Sequence, residues 1–291
     1  MRLAIVGLGL IGGSIARAVH ERVPAEERWS VAAWSPSGRG PSAALAEGVV
    51  DHAATGIGEV TAGADLVVVA APPLATLDLL TILADRGASR LPAPTVTDVA
   101  STKLAIVERA VELGLPFVGG HPMAGSERSG FAAASADLFV GRPWIVVAPT
   151  GAPDDAIERV ERLARTCGAE PIRMEAAAHD RAVAAVSHLP LLLAAALVET
   201  ATGAPDWPTA ARLAASGWRD MTRLARGDPS MAAGIAATNP GELAVRARDL
   251  RAVLDRWIAD LERQPTVDVA GLIARFTAAR DALTDDRSGG G

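Results

Sequence analysis

The stretch Gly7-Leu8-Gly9-Leu10-Ile11-Gly12 joins an apolar strand pattern over residues 3–6 to a helical pattern over residues 11–20. In that context each glycine has a steric task. Gly7 permits a tight turn, Gly9 lets the backbone approach a pyrophosphate, and Gly12 lets helix and strand pack closely. The first helical turn, which includes Leu10 and Ile11, supplies free N–H groups to the phosphates. The stretch therefore predicts a dinucleotide site.

The rest of the chain divides into a mixed half and a helical half. In the first half, β-branched or apolar runs alternate with Ala/Leu-rich helical patterns, which is typical of a doubly wound parallel sheet. Beyond residue 175 only helical patterns follow. We predict an α/β fold with a Rossmann-type doubly wound sheet domain over residues 1–175, an all-helical domain for substrate binding and dimerisation over residues 176–284, and a disordered tail over residues 285–291. The predicted strands cover residues 3–6, 30–34, 66–69, 95–98, 117–119, 144–147 and 170–174.

Length and charge narrow the class of protein. At 291 residues the chain is longer than a usual domain with a single hydrophobic core, which favours two domains. The net charge of −6 offers no basic surface for nucleic acid or an anionic membrane. No run of about 18 uninterrupted apolar residues occurs, and a strand pattern stands where a secretory leader would begin. We therefore expect a cytoplasmic protein that binds neither nucleic acid nor membranes.

Residue types that are rare or missing narrow the chemistry. Tyrosine is absent, which excludes the phenol acid/base of short-chain dehydrogenases. The single cysteine, Cys167, excludes an intrachain disulfide and a cysteine-rich zinc site, and no metal site is predicted. Lys103 is the only lysine and lies too early for the catalytic ammonium of β-hydroxyacid dehydrogenases. A histidine or a carboxylate is left as the expected proton acceptor.

The end of the second predicted strand bears on the choice between NAD and NADP. An NAD site usually has a carboxylate there for the ribose 2′-hydroxyl, but this chain has Ser35, followed by Ser37 and Arg39. Without a carboxylate to repel it, a 2′-phosphate can be bound by Arg39 and the two hydroxyls. NADP is therefore favoured over NAD, with a merely solvated Arg39 in a loop as the alternative.

Ala71 and Pro72 follow the apolar strand pattern over residues 66–69. This turn is expected at the carboxyl edge of the sheet, where dinucleotides bind, so backbone contacts to the adenosine side are predicted. A simple strand-to-helix turn explains the proline equally well.

A resemblance to a known family rests on four segments. The first is Phe117-Val118-Gly119-Gly120-His121-Pro122-Met123-Ala124-Gly125-Ser126-Glu127-Arg128-Ser129-Gly130, in which a histidine among glycines and a proline indicates a turn. It closely resembles the signature of the prephenate/arogenate dehydrogenase family. Three more segments match that family in the same order, Thr97-Asp98-Val99-Ala100-Ser101-Thr102-Lys103, Ser187-His188-Leu189-Pro190 and Gly217-Trp218-Arg219-Asp220-Met221-Thr222-Arg223-Leu224-Ala225.

The resemblance implies an oxidative decarboxylation in tyrosine biosynthesis, with NAD or NADP as cofactor. Prephenate would give 4-hydroxyphenylpyruvate, or arogenate would give tyrosine. Hydride leaves the carbinol carbon for the nicotinamide, carbon dioxide leaves the opposite ring carbon, and an aromatic ring forms.

The same resemblance assigns roles to five residues. His121 would accept the hydroxyl proton, and Ser101 would hold that hydroxyl or link it to the cofactor. Arg223 would bind a substrate carboxylate with its bidentate fork, and His188 and Ser126 would also contact the substrate.

Structural roles compete with some of these assignments. Ser101 could cap a helix that begins at Thr102, and Arg223 could pair with Asp220 on a helix surface. His188, close to Pro190, could be a buried kink residue. His179, beside Asp180, is expected to be a hydrogen-bonding residue at the domain junction and not a catalyst.

This chain also departs from the family pattern. Leu191 stands where many members have a second histidine, and Ala232 stands where some have a tryptophan. Together with the Ser35 loop, the missing histidine leans toward an arogenate-using, NADP-linked member. Two other functions stay open, a 4-amino-4-deoxyprephenate dehydrogenase of secondary metabolism and a catalytically silent dinucleotide-binding scaffold.

Overall fold

The computed structural model describes residues 1–27, 29–87, 93–125, 128–263 and 266–285. By its internal packing the chain forms two compact units, Met1–Leu243 and a second unit that begins at Ala244. These units do not divide at residue 175, because the first helices of the helical half pack within the first unit. The predicted domain boundary at residue 175 stays a prediction.

A five-stranded parallel sheet forms the first part of the Met1–Leu243 unit. Its strand order is β3-β2-β1-β4-β5, so the order reverses between β1 and β4. This arrangement confirms the predicted Rossmann-type fold, and ligands of such sheets bind at that reversal. The elements are β1 (Arg2–Val6), α1 (Leu10–Arg22), β2 (Ser30–Trp34), α2 (Arg39–Ala46), β3 (His52–Ala53), α3 (Ile57–Val60), β4 (Leu66–Val69), α4 (Pro73–Gly87) and β5 (Thr95–Asp98).

A second sheet of three strands corrects part of the prediction. Its middle strand pairs antiparallel with the first strand and parallel with the third, so the whole set of strands is not parallel. The predicted strand over residues 117–119 begins at Gly119 and runs to Pro122, while Phe117 only bridges to Val96 of β5. The elements are α5 (Leu104–Glu112), β6 (Gly119–Pro122), β7 (Pro143–Val147), α6 (Asp154–Thr166) and β8 (Glu170–Arg173).

Two apolar cores lie on opposite faces of the parallel sheet. Because side chains alternate along a strand, Leu3 and Ile5 of β1 join one core while Ala4 and Val6 join the other. The first core includes α1 and α6, and the second includes α4 and α5. Burial on both faces explains why β1 and β4 are continuous apolar runs.

The chain after residue 175 is helical, as predicted. Its helices are α7 (Ala176–Val183), α8 (Leu189–Thr202), α9 (Trp207–Ala210), α10 (Ser216–Met221), α11 (Pro229–Thr238), α12 (Pro240–Leu261) and α13 (Val269–Asp285).

A π-turn over Ala184–His188 joins α7 to α8. Pro190 has no N–H for the regular helical bond, which accounts for the local change of winding. Asp180, before this wider turn, and His188, at its end, are both buried.

The continuous helix Ala176–Thr202 is, by length and composition alone, apolar enough to cross a membrane, and 22% of its most apolar window is buried inside the chain. An apolar helix that packs within a protein or against a partner chain passes the same test. In this chain its side chains His179, Asp180 and His188 are buried and hydrogen-bonded to other parts of the Met1–Leu243 unit.

Candidate active site

A cavity of about 770 Å³ opens where the strand order reverses. Its walls come from the turns after β1, β2 and β4, and from α2, α4 and the segment around Phe131. Its size falls within the range of about 300–1,000 Å³ that is usual for ligand and cofactor sites. Among the predicted cofactor residues, the cavity is lined by Gly7, Gly9, Ser35, Ser37, Arg39, Ala71 and Pro72.

The three glycines of the first turn have different surroundings. Gly7 has a φ of +105°, and an added Cβ there would lie 2.2 Å from the Ala70 carbonyl oxygen. A Cβ at Gly12 would lie 2.0 Å from the Gly7 carbonyl oxygen, so this position has room for no side chain. A Cβ at Gly9 would meet no heavy atom within 4 Å. The open space at Gly9, beside the N-terminus of α1, fits a pyrophosphate group.

Leu10 and Ile11 occupy the first turn of α1, directly after Gly9, which is the N-cap residue. No side chain caps this helix end, so its first N–H groups stay available to a ligand. The two residues are half-buried, and they do not line the cavity themselves.

The far end of the cavity carries charged groups of both signs. Arg39 is the first residue of α2 and is exposed. Glu47 at the other end of α2 also lines the cavity, which the sequence did not indicate, but Arg17 pairs with its carboxylate at 2.7 Å. A carboxylate that is already paired opposes an anion less than a free one does.

A second cluster of buried polar side chains lies at the same edge of the sheet. Val6, Val69 and Asp98 are in register on three neighbouring strands, so the turns after β1 and β4 and the side chain of Asp98 share one edge. Asp98 accepts hydrogen bonds from the Gly120 N–H at 3.1 Å and the Ala100 N–H at 3.0 Å. The bond from Gly120 holds β6, the strand that carries His121, against β5.

His121 lies in β6, opposite Ile145, and not in a turn as predicted. The two glycines before it serve close packing instead of a reversal of the chain. A Cβ at Gly120 would lie 2.6 Å from the Asp98 carbonyl oxygen and 3.0 Å from Nε1 of Trp144. His121 Nδ1 lies 2.8 Å from Nε2 of His179, and the imidazole is 8% exposed.

Lys103 and Asp98 form an ion pair that is fully buried. Burial lowers the pKa of Lys103, and the nearby Asp98 carboxylate opposes that shift. The lysine that sequence reasoning set aside is therefore part of the cluster beside His121.

The N-terminus of α5 is capped by a side chain from α7. The Asp180 carboxylate accepts the Lys103 N–H at 2.8 Å and the Leu104 N–H at 2.9 Å. The alternative role of Ser101 as a helix cap is therefore wrong, because α5 begins at Leu104 and takes its cap from Asp180. Ser101 Oγ is instead buried without a hydrogen-bond partner in the described part of the chain.

His188 lies close to Ser101, at the end of the π-turn. Its Nδ1 is 3.4 Å from Nδ2 of Asn239, which also donates to the Asp180 carbonyl oxygen at 2.9 Å. An amide nitrogen donates, so Nδ1 of the neutral ring is the acceptor and Nε2 carries the hydrogen. Within the described residues this buried Nε2–H has no partner.

Burial shapes the protonation of the cluster. It lowers the pKa of His121 well below 6.5, and the charge of Lys103 and the two neighbouring histidines lower it further. Burial also lowers the pKa of His188, against the opposing effects of Asp180 and the Ser101 backbone. For Asp180, burial alone would raise the pKa, but hydrogen bonds from His179, Leu104 and Lys103 together lower it. At neutral pH His121 and His188 are therefore uncharged.

We expect stability to fall as the solution is acidified below pH 6.5. The unfolded chain takes up protons on both histidines near that pH, while the folded chain resists until a lower pH. Each group then lowers the free energy of unfolding by up to about 1.4 kcal/mol per pH unit. Urea unfolding of wild type and His121→Asn at pH 7.0, 6.0 and 5.5 measures this. A variant curve parallel to the wild-type curve would contradict the assignment of His121.

Of the three predicted substrate residues, His188 belongs to this cluster. Arg223 begins the exposed 3₁₀ turn Arg223–Arg226, which packs beside α8, and Ser126 lies outside the described residues. Next to His188 is a mostly apolar cavity of about 260 Å³. The two departures from the family pattern both line it, since its walls include His188, Leu191, Leu192, Leu224, Ala225 and Ala232.

Sequence reasoning did not place Asp98, Lys103, Asp180 and Asn239 in the cluster. It expected His179 to be a hydrogen-bonding residue, and the ring of His179 does lie within hydrogen-bond distance of His121 and Asp180. Asp98 and Lys103 stand in one of the matched segments, so their position at a strand end was an available signal. The contacts of His179 and Asn239 join residues 58 and 59 positions apart, and no local pattern marks them.

Comparisons with known proteins cover the same two halves of the chain. Residues 15–173 match the family model described as the prephenate dehydrogenase nucleotide-binding domain, and residues 175–273 match the prephenate dehydrogenase dimerization domain. Prephenate dehydrogenase of Bacillus subtilis is 33% identical over 288 residues, which is 96% of this chain and 74% of that protein.

Solved structures show the same relationship. Arogenate dehydrogenase of Synechocystis superposes with a TM-score of 0.77 at 30% identity, covering 97% of this chain and 100% of that one. Prephenate dehydrogenase of Aquifex aeolicus, in complex with hydroxyphenyl propionate and NAD⁺, gives a TM-score of 0.84 at 25% identity, covering 97% and 98%. The two family models match successive parts of the chain, and the fold is shared over nearly its whole length. The chain therefore belongs to the prephenate dehydrogenase family.

Proposed function

We propose that this protein is an NADP-favouring prephenate/arogenate dehydrogenase, which oxidises and decarboxylates a cyclohexadienol carboxylate. The observation that carries the proposal is the position of His121. It is a neutral imidazole anchored through Gly120 and Asp98 to the sheet edge that also holds the large cavity. Neighbouring strands lie about 4.8 Å apart, so Asp98 is about two strand spacings from the Gly7 turn.

His121 acts as the proton acceptor in this proposal. Its Nδ1 is engaged by His179, and its Nε2 makes no hydrogen bond within the described residues. A low pKa keeps the ring unprotonated at pH 7, ready to take the substrate hydroxyl proton as the carbinol carbon is oxidised. Ser101, whose Oγ is buried without a partner, would donate to or accept from the same hydroxyl.

Three residues suit the negative charge of the substrate. The Nε2–H of His188 is a buried donor whose near neighbour is the Ser101 backbone, and it makes no hydrogen bond of good geometry within the described residues. Arg223 would add a bidentate contact to a carboxylate, and Ser126 a further hydroxyl.

The residues around the large cavity suit a dinucleotide. Gly7, Gly9 and the first turn of α1 would hold the pyrophosphate, and Ala71 and Pro72 would contact the adenosine side. When bound, the nicotinamide ring supplies the acceptor for the hydride. Arg39, at the positive end of α2, together with Ser35 and Ser37, supports the preference for a 2′-phosphate.

We expect Arg39→Ala to weaken NADP binding by about tenfold to a hundredfold while NAD binding changes little, because one charge-assisted contact of about 1.5–3 kcal/mol is lost. Fluorescence titration with NADPH and NADH measures both affinities. A strong NAD preference in both wild type and variant would remove Arg39 from this role.

The activity is tested by following the absorbance of the reduced cofactor. Prephenate, arogenate and 4-amino-4-deoxyprephenate are each supplied with NADP and with NAD. Turnover of prephenate or arogenate supports the proposal, and turnover of the amino analogue alone would replace it. Absence of turnover with all three, despite cofactor binding, would favour a silent scaffold.

We also propose a cytoplasmic homodimer formed through the helical half. The matched model for residues 175–273 describes a dimerization domain, and α8 and α12 expose apolar side chains such as Leu192 and Leu254. Light scattering after size-exclusion chromatography gives the mass in solution, and a monomer at micromolar concentration would contradict the dimer.

A further inference from the structure

A second buried histidine lies directly behind the proposed proton acceptor. His179 is 1% exposed, and its Nε2 lies 2.8 Å from Nδ1 of His121. On its other side, Nδ1 lies 2.8 Å from Oδ1 of Asp180. The two imidazole rings meet edge to face, at 77° with centroids 5.1 Å apart. A line of three side chains therefore runs from β6 into α7.

The far end of this line fixes the direction of its hydrogen bonds. Asp180 accepts backbone N–H groups of Lys103 and Leu104, so its carboxylate is held in place independently of the histidines. An ionised carboxylate has no hydrogen to donate. The hydrogen between Asp180 and His179 must therefore sit on Nδ1 of His179, and when the His179 ring carries only this one hydrogen its Nε2 presents a lone pair.

The same reasoning applies to the ring of His121. Facing the lone pair of His179, Nδ1 of His121 must be the donor, so a neutral His121 has its own lone pair on Nε2. In the other neutral form, His121 carries its hydrogen on Nε2. The lone pairs of His121 Nδ1 and His179 Nε2 would then face each other. Only the first form can accept a proton from a substrate through Nε2.

We propose that His179, held by Asp180, is a positioning residue that fixes the tautomer of His121. Its catalytic consequence rests on the proposed function, whereas the tautomer itself does not. Other groups around His121 do not supply this control. Lys103 contributes a positive charge already paired with Asp98, and His188 is engaged with Asn239. Of the carboxylates described around His121, Asp180 is the one that reaches its ring through a hydrogen-bonded side chain.

The arrangement also favours the charged ring that proton transfer creates. When Nε2 takes up a proton, His121 becomes an imidazolium beside the ammonium of Lys103. The hydrogen bond from Nδ1 to His179, backed by the Asp180 carboxylate, offsets part of that repulsion.

Nitrogen-15 NMR of the free protein tests the tautomer without any turnover. Two-bond ¹⁵N–¹H correlations distinguish the two neutral forms of each histidine. The chain has only five histidines, and single substitutions assign their signals. We expect His121 in wild type to carry its hydrogen on Nδ1, and in His179→Leu to shift toward the form with the hydrogen on Nε2. A wild-type His121 with hydrogen on Nε2, or a tautomer that His179→Leu leaves unchanged, would overturn the proposal.

Kinetics of paired variants tests the consequence. The side-chain oxygen of His179→Gln reaches the place of Nε2 and can still accept from His121, whereas His179→Leu cannot. We expect kcat of the Leu variant to fall by about 10²-fold or more, toward the 10²–10⁴-fold range of positioned acid/base catalysis. The Gln variant should recover at least part of this loss, with substrate KM and cofactor affinity near wild type in both.

Matched controls separate positioning from folding. His20 is exposed in the last turn of α1, and His20→Gln should leave kcat and the His121 tautomer unchanged. Equal loss of kcat in the Gln and Leu variants, or a loss expressed in KM, would overturn the positioning role. If His179→Leu fails to fold, the tautomer of His121 in wild type and the kcat of His179→Gln still test the proposal. If wild type turns over none of the substrates, the proposed function fails while the NMR result stands on its own.

Discussion

Replacing His121 with asparagine lowers kcat by about 10²- to 10⁴-fold, which is the contribution expected from a positioned proton acceptor. Asparagine is chosen because it keeps a polar group of similar reach where Nδ1 faces His179, while no basic nitrogen remains at the place of Nε2. Steady-state rates with the preferred substrate and saturating cofactor give the comparison.

The loss of kcat in His121→Asn is specific to catalysis if the variant still binds the cofactor. Cofactor affinity should stay near wild type, because His121 does not line the large cavity. A kcat equal to that of wild type would remove His121 from its role, and a parallel loss of cofactor affinity would point to a structural defect instead.

The second large effect is expected from alanine substitutions in the first glycine turn, where Gly12→Ala is compared with Gly9→Ala. In Gly12→Ala the new methyl group would lie 2.0 Å from the Gly7 carbonyl oxygen, so α1 must move away from β1. Overpacking of this kind costs about 1–3 kcal/mol of stability. We expect a lower midpoint of urea unfolding together with loss of cofactor binding.

Gly9→Ala provides the contrast. Its methyl group meets no protein atom within 4 Å, so stability should change by at most about 1 kcal/mol, the usual cost of alanine at a helix N-cap. The same methyl group would stand in the space assigned to the pyrophosphate, and NADPH affinity should fall by about tenfold to a hundredfold. Unchanged affinity in a folded Gly9→Ala variant would move the cofactor away from this turn.

Local patterns predicted the parallel sheet well. The turn at Gly7–Gly12 and strands β1, β2, β4 and β5 were predicted because these strands are short runs of apolar or β-branched residues between turn residues. The two-residue strand β3 was missed because two residues give no periodicity. The helical half was predicted as helix from its long Ala/Leu-rich segments.

The surroundings of His121 were harder to predict. The pair Gly119 and Gly120 indicated a turn. Position 120 instead requires a glycine because β6 approaches β5 and Trp144 closely there. A glycine required by sterics between two strands looks the same in sequence as a glycine required by a turn. The burial of Lys103 was unpredictable for a similar reason, since its partner Asp98 gives it a place in the core that composition rules deny to lysine.

The carboxylate of Asp180 has a consequence for how the molecule is assembled. The first N–H groups of α5, a helix of the sheet half, are satisfied by a residue that follows the predicted boundary at residue 175. A fragment ending at that boundary would lack this partner for the N–H groups of Lys103 and Leu104. We therefore expect the sheet half and the helices that precede Ala244 to unfold in a single cooperative transition.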